Sequence, residues 1–379
     1  MAAHFPPVIV DNILKYLYTN PIDDKPGSGD LQIDVLALQA YSLVSRVWRQ
    51  QAQQLLFHQV DLTSMRQFLR IRPYMKTATH ITSYVRILSL SVGNTYQTHV
   101  QGTELPNILS MFPYLYELRL QIDNAATLPL RTIQQLTGGP GTAFIPPISA
   151  LRITLESTQQ SPDIVLQLLQ LPWPLEYLSI AQPYSITPWV TAKDLSDLNP
   201  PSFKLREYRT DGFLNWEVVL GWAVTHSLET LTVLHMPPSP GNSTLALVSP
   251  RLRSLNLVYD PYTPKAFEGM FDFPPLPELQ ELTLTNAVLL TGQKYYQSIP
   301  MSVCHFGTTL RIKLAKMIEI CPTIPMRMET VTVLYEGKMT PGWERLVEHY
   351  TSFDGRLAAK RRVPDVRIIA IDDYQCQNL

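Results

Sequence analysis

Two hydrophobic patterns divide the chain. Over residues 1–62 the apolar positions keep helical spacing. Ile9, Ile13, Leu14 and Leu17 recur every three or four residues and fall on one helical face. Pro6 and Pro7 stand where a first helical turn tolerates proline. The polar stretch Pro21–Asp30, with two Pro and two Gly, predicts an exposed loop. From Val35 to Phe57 the helical pattern resumes through Leu36, Leu43, Val44, Val47, Trp48, Ala52, Leu55 and Leu56, and neither Pro nor Gly interrupts it. Residues 1–62 therefore read as a module of two or three helices, with a linker helix expected over 63–82.

From about residue 80 the texture changes to apolar-x-x-apolar-x-apolar. Clear copies are Val85-Leu88-Leu90, Leu115-Leu118-Leu120, Ile148-Leu151-Ile153 and Leu175-Leu178-Ile180, then Leu228-Leu231-Val233, Leu252-Leu255-Leu257, Leu279-Leu282-Leu284 and Met328-Val331-Val333. Leu205-Tyr208-Thr210 and Val363-Val366-Ile368 are weaker copies. The spacing of first positions runs from 23 to 49 residues, close to the period of leucine-rich repeats. Each copy holds a short strand of period two. Segments of helical spacing lie between copies, at 104–111, 162–171, 215–226, 308–320 and 343–357. Strand and returning helix, repeated, predict parallel strands. One such unit cannot bury both its faces, so the array is stable only collectively. The expected fold class is α/β: a small helical module over 1–62, then an irregular leucine-rich-repeat solenoid with a curved parallel sheet over 83–379. An ordinary α/β sheet is the alternative.

Composition fits an ordered protein. Of the 379 residues, 45% are hydrophobic and 17% charged, and Pro (32) outnumbers Gly (16), as short elements ended by rigid turns require. A net charge of -1 gives no reason to expect nucleic acid or a membrane surface as partner. Three cysteines without a C-x-x-C exclude a disulfide framework and a Cys-rich zinc site. The opening MAAHFPPVIVDN has no basic region followed by an apolar one, so no secretory leader is expected, and a cytoplasmic or nuclear location is. P-loop, G-x-S-x-G and H-E-x-x-H motifs are all absent, and the eight histidines show no metal-ligand spacing. No catalytic residue, metal site or cofactor is expected.

The N-terminal residues carry a resemblance. Phe5-Pro6-Pro7-Val8-Ile9-Val10-Asp11-Asn12-Ile13-Leu14 and Ser42-Leu43-Val44-Ser45-Arg46-Val47-Trp48-Arg49, followed by Leu55-Leu56-Phe57, resemble the opening and closing segments of an F-box. The closing half is similar to many fungal F-box proteins, which often continue into degenerate leucine-rich repeats. The resemblance implies a substrate receptor of a cullin-based ubiquitin ligase. Its partners would be a Skp-type adaptor, a cullin scaffold and a protein substrate. Adaptor contacts are expected at Phe5, Pro6, Pro7, Ile9, Ile13, Leu14, Leu43, Val44 and Trp48, although Leu43 and Trp48 are equally readable as core. The alternative is a repeat scaffold that recruits no ligase.

Substrate would meet the strand positions between the apolar ones. The alternation puts Ser89, Ser91, Glu117, Arg119, Gln121, Arg152, Thr154, Ser179, Thr232, Asn256, Thr283, Thr285 and Thr332 on a solvated face. Arg119 and Arg152 lead as contacts because arginine is enriched at hot spots. Gln121, Thr154, Asn256 and Thr283 complete the candidate set. Thr and Ser there are equally explained by β-propensity.

Overall fold

The computed structural model describes residues 35–44, 46–95, 98–123, 127–138, 144–156, 163–181, 198–199, 201–211, 216–222, 227–236, 249–259, 276–285, 302–310, 330–336 and 365–371. The chain forms two compact units, Met1–Leu175 with Pro201–Phe203, and Glu176–Pro200 with Lys204–Leu379.

Among the described residues, the first elements of the first unit are helices α1 (Val35–Ser42) and α2 (Arg46–Leu56). The expected unbroken helical stretch is thus two helices. The break follows from local chemistry. Ser42 turns its hydroxyl back onto the Gln39 carbonyl at 2.7 Å, and the Leu43 and Val44 amides tighten to i−3 acceptors. Arg49 Nε then donates to the freed Ser42 carbonyl at 3.3 Å. Leu38 and Ala52 are buried between the helices, with Tyr41, Trp48, Leu55 and Leu56 packed around them.

Strand β1 (Gln59–Leu62) follows directly. Helix α3 (Met65–Thr77) is started by a reciprocal cap. The Gln67 amide donates to Ser64 Oγ, and the Gln67 side chain accepts from the Thr63 amide. A short helix α4 (Thr79–Thr82) leads to β2 (Ile87–Gly93). Then come α5 (Leu105–Leu109), β3 (Glu117–Asp123), α6 (Leu130–Leu136), β4 (Ala150–Leu155) and α7 (Asp163–Leu169). The four strands pair in chain order and in parallel.

The second unit contains β5 (Tyr177–Ala181), β6 (Glu207–Asp211), α8 (Trp216–Trp222), β7 (Thr230–Met236), β8 (Ser254–Tyr259), β9 (Glu281–Thr285), β10 (His305–Leu310), β11 (Thr330–Glu336) and β12 (Asp365–Ile371). These strands also pair in sequence order, each parallel to the last. The fold is therefore α/β with an open, parallel sheet.

Every copy of the apolar pattern falls on a strand. Where it is described, its first position sits just before the strand and is buried, as Val85, Leu115, Ile148, Leu175, Leu205, Leu228, Leu252 and Leu279 are; Met328 and Val363 lie outside the described residues. The second and third point to the same side, so Leu88, Leu118 and Leu151 stack in register and are fully buried. Helix faces close this layer: five of the seven residues of α7 are buried. Each buried Leu contributes roughly 1.5–3 kcal/mol.

A backbone device fixes the register. The carbonyl just before each strand accepts two amides from the next copy. His58 takes Arg86 and Ile87, Arg86 takes Tyr116 and Glu117, and Tyr116 takes Ser149 and Ala150. Glu176, Arg206, Glu229 and Arg253 repeat it in the second unit.

Two strands were not expected. β1 carries Phe57-Val60-Leu62 inside residues read as helical. β10 carries Val303-Phe306-Thr308 and runs through 308–310, the start of the expected helical segment 308–320; residues 311–320 lie outside the described residues. Val303 falls 24 residues after Leu279 and 25 before Met328, so β10 divides the widest gap in the spacing.

Candidate functional site

The polar side of β1–β4 is organised by register into rows. One row is Asp61, Ser89, Arg119 and Arg152; the next is Ser91, Gln121 and Thr154. The candidates Arg119, Gln121, Arg152 and Thr154 are thus brought together on adjacent strands. Gln121 and Thr154 are exposed, while Arg119 and Arg152 are half-buried.

Arg119 faces Arg152 directly across the β3–β4 pair. Like charges opposite one another are destabilising. Glu117 resolves this: its Oε1 lies 2.8 Å from Arg119 Nε and 2.6 Å from Arg152 Nε. Glu117 was expected on the solvated face, yet it is only 8% exposed. The two guanidinium stems cover it, and a carboxylate held by two cations tolerates that cover. The two arginines are therefore bridged by one shared carboxylate into a preformed fork that keeps a net charge of +1.

At the C-terminal ends of the same strands a second group forms. β1 pairs with β2 only as far as Leu90. Beyond it, Val100 takes over the edge: its amide donates to the Ser91 carbonyl at 2.7 Å and its carbonyl accepts from Gly93 at 3.1 Å. This places His99 beside Asp123, the last residue of β3, and Glu156, the first after β4. His99 Nε2 is 3.7 Å from Asp123 Oδ2 and 3.9 Å from Glu156 Oε2. Thr98 Oγ1 lies 2.8 Å from His99 Nδ1. Gln121 Nε2 donates to Glu156 Oε1, and Gln121 Oε1 accepts from Ser91 Oγ at 3.3 Å. Gly93 makes room for the ring, since a Cβ there would lie 2.8 Å from His99 Cγ. The spacing of these residues along the chain, 24 and 33 positions, matches no ligand motif. The available signal was the repeat itself, which aligns Asp123 with Gly93 and puts Glu156 one step beyond Leu155.

Asn256 and Thr283 belong to the second unit. They face each other on β8 and β9, both half-buried. Their row reads Ser179, Arg209, Thr232, Asn256, Thr283, with Gly307, Thr332 and Arg367 in continuing register. In place of leucines, β6 buries Tyr208 and Thr210 on its inward side. Burial holds the Tyr208 phenol far above its ordinary range, and the Thr210 hydroxyl opposes that weakly.

Of the expected adaptor contacts, Leu43 and Val44 sit on the turn between α1 and α2, 77% and 62% exposed. Trp48 turns inward and stacks on Tyr41, ring centroids 5.2 Å apart. Phe5, Pro6, Pro7, Ile9, Ile13 and Leu14 lie outside the described residues. Among the described residues no helix is long and apolar enough to cross a membrane. No known protein-family model matches the chain, and neither does any curated protein.

Proposed function

We propose that the chain is a non-enzymatic substrate receptor of a cullin-based ubiquitin ligase. Its N-terminal F-box-like module docks a Skp-type adaptor, and an irregular leucine-rich-repeat solenoid holds a protein substrate. One observation carries the reading: the turn inside the F-box-like segment leaves Leu43 and Val44 in solvent. An exposed apolar knuckle of this kind marks a protein contact, and Trp48, packed on Leu38, Ala52 and Tyr41, holds together the two helices that carry it. Stacked parallel strands with a polar side supply the substrate surface. Ubiquitin transfer itself would be done by other subunits, in the cytoplasm or the nucleus.

The test is co-expression of the full chain with a Skp-type adaptor, followed by size exclusion. A one-to-one complex is expected. It should be lost in Leu43→Asp/Val44→Asp and in Ile9→Asp, with the thermal transition of the chain unchanged. A chain that elutes alone would move the reading to a repeat scaffold that recruits no ligase.

A further inference from the structure

We infer that His99, Asp123 and Glu156 form a binding site for a divalent transition-metal ion of the Zn²⁺ class. The three side chains offer one nitrogen and two carboxylate oxygens, all within 4.8 Å of one another. Their separations argue for an ion between them. A direct charge-assisted hydrogen bond from the imidazole would close to about 2.7–2.9 Å. His99 Nε2 instead stands 3.7 and 3.9 Å from the two oxygens. Ligands bound at about 2.0–2.2 Å around one tetrahedral ion stand roughly 3.3–3.6 Å apart, so the imidazole and each carboxylate need close by only a few tenths of an ångström to share one.

The surroundings fit the same assignment. Thr98 Oγ1 lies 2.8 Å from His99 Nδ1, where it can accept a proton held on Nδ1 when Nε2 gives its lone pair to an ion. An outer hydrogen bond on the second ring nitrogen is what metal-bound histidines carry. Gln121 holds one oxygen of Glu156 and leaves Oε2 for the ion. The imidazole selects for zinc-like metals over Mg²⁺ and Ca²⁺, which prefer oxygen alone. His99 and Asp123 side chains are 14% and 26% exposed, so the ion would be partly shielded yet open on one side. Three protein ligands leave a position for water or for a group from a partner. The ion would also clip the 98–100 segment to the ends of β3 and β4.

The experiment is calorimetric titration of the full chain with ZnCl₂ in a chelator-free buffer. Co²⁺ absorption serves as a second probe. One equivalent is expected to bind, with a Co²⁺ spectrum lacking thiolate charge transfer, because no cysteine belongs to the site. His99→Ala should abolish that equivalent. Asp123→Asn and Glu156→Gln should each weaken it at least about tenfold, and Thr98→Val by roughly 10–100-fold. If His99→Ala fails to fold, Asp123→Asn and Thr98→Val, which keep shape, decide the matter. The site is overturned if the wild-type chain takes up no equivalent, if these variants bind as well as wild type, or if Mg²⁺ competes at equal concentration. None of these readouts involves an adaptor, so this site and the ligase reading stand or fall separately.

Discussion

The polar sides of the two units are built on the same inward ladder but carry different chemistry. On β1–β4 the charges lie on the face, from the buried Glu117 with half-buried Arg119 and Arg152 to half-buried His99 and Asp123 beside the exposed Glu156. Over β5–β9 the corresponding row is mostly Ser, Thr and Asn, with Arg209 among them, and three ion pairs lie on the rim. There Arg206 lies 3.9 Å from Glu176 and 3.2 Å from Glu229, and Arg253 lies 3.9 Å from Glu278, with side chains 36–60% exposed. Exposed pairs of that kind contribute little. A carboxylate covered by two guanidiniums is costly to disturb. The comparison teaches that the apolar ladder and its backbone register recur in both units, and that specific chemistry is an addition to them, concentrated among the described residues on β1–β4.

The largest expected effect tests the shared part. Leu118 and Leu255 occupy the same place in their copies and are 0% and 1% exposed. Leu118→Asp and Leu255→Asp each bury an unpaired charge between stacked strands, at a cost above about 4 kcal/mol. Thermal melts with strand-resolved hydrogen exchange should show loss of protection across β1–β4 in the first variant and across β5–β9 in the second. Normal melting of either would break the claim that both units rest on one ladder.

The next prediction sharpens the difference. Glu117→Gln leaves two arginines facing each other and should destabilise by roughly 2–3 kcal/mol. Asn256→Thr should change stability by no more than about 0.5 kcal/mol, or raise it. Among the described residues the Asn256 Oδ1 is buried without a hydrogen-bond donor, and Thr is already the neighbour on either side of its row. Equal costs in denaturant titrations would erase the contrast between the two faces.

Gly93→Ala probes the edge of the first unit more gently. The added methyl would meet the Asp123 carbonyl oxygen at 2.7 Å and His99 Cγ at 2.8 Å, so strand or ring must shift. A cost of about 1–2 kcal/mol is expected. The shift should also weaken Zn²⁺ uptake, whereas Gly221→Ala, where a Cβ meets nothing within 4 Å, should do neither.

How much of this was legible follows from what each feature depends on. The strands were, because the three inward positions of each copy stay recognisable even where two of them become Tyr208 and Thr210. β10 escaped because Gly307 and Thr308 dilute its pattern, and β1 because Phe57, Val60 and Leu62 also continue a helical stripe. The turn at Leu43 was hidden for lack of Gly or Pro; a serine hydroxyl and an arginine seven residues on make it. Glu117 was read as solvated because alternation gives the side a residue faces, not which neighbour covers it. His99, Asp123 and Glu156 were illegible for the same reason: their meeting requires the cross-strand register and the place where β1 stops.

The smallest effect is a pH dependence confined to the first unit. His58, whose carbonyl starts the register device, has its imidazolium disfavoured chiefly by burial and then by Arg86, with Glu117 pulling the other way. Its folded pKa lies below the ordinary 6.5. As pH falls, the unfolded chain therefore takes up the proton first. The stabilising contribution is complete above the unfolded pKa, declines as pH drops through it, and levels off below the folded value. His58→Gln should flatten the melting temperature between pH 7 and 5. Glu117→Gln removes the one opposing charge, so it should steepen that slope even as it lowers stability at neutral pH. A slope unchanged by Glu117→Gln would mean that the carboxylate is spent wholly on Arg119 and Arg152, and that the register rim and the arginine fork of the first unit are electrostatically independent.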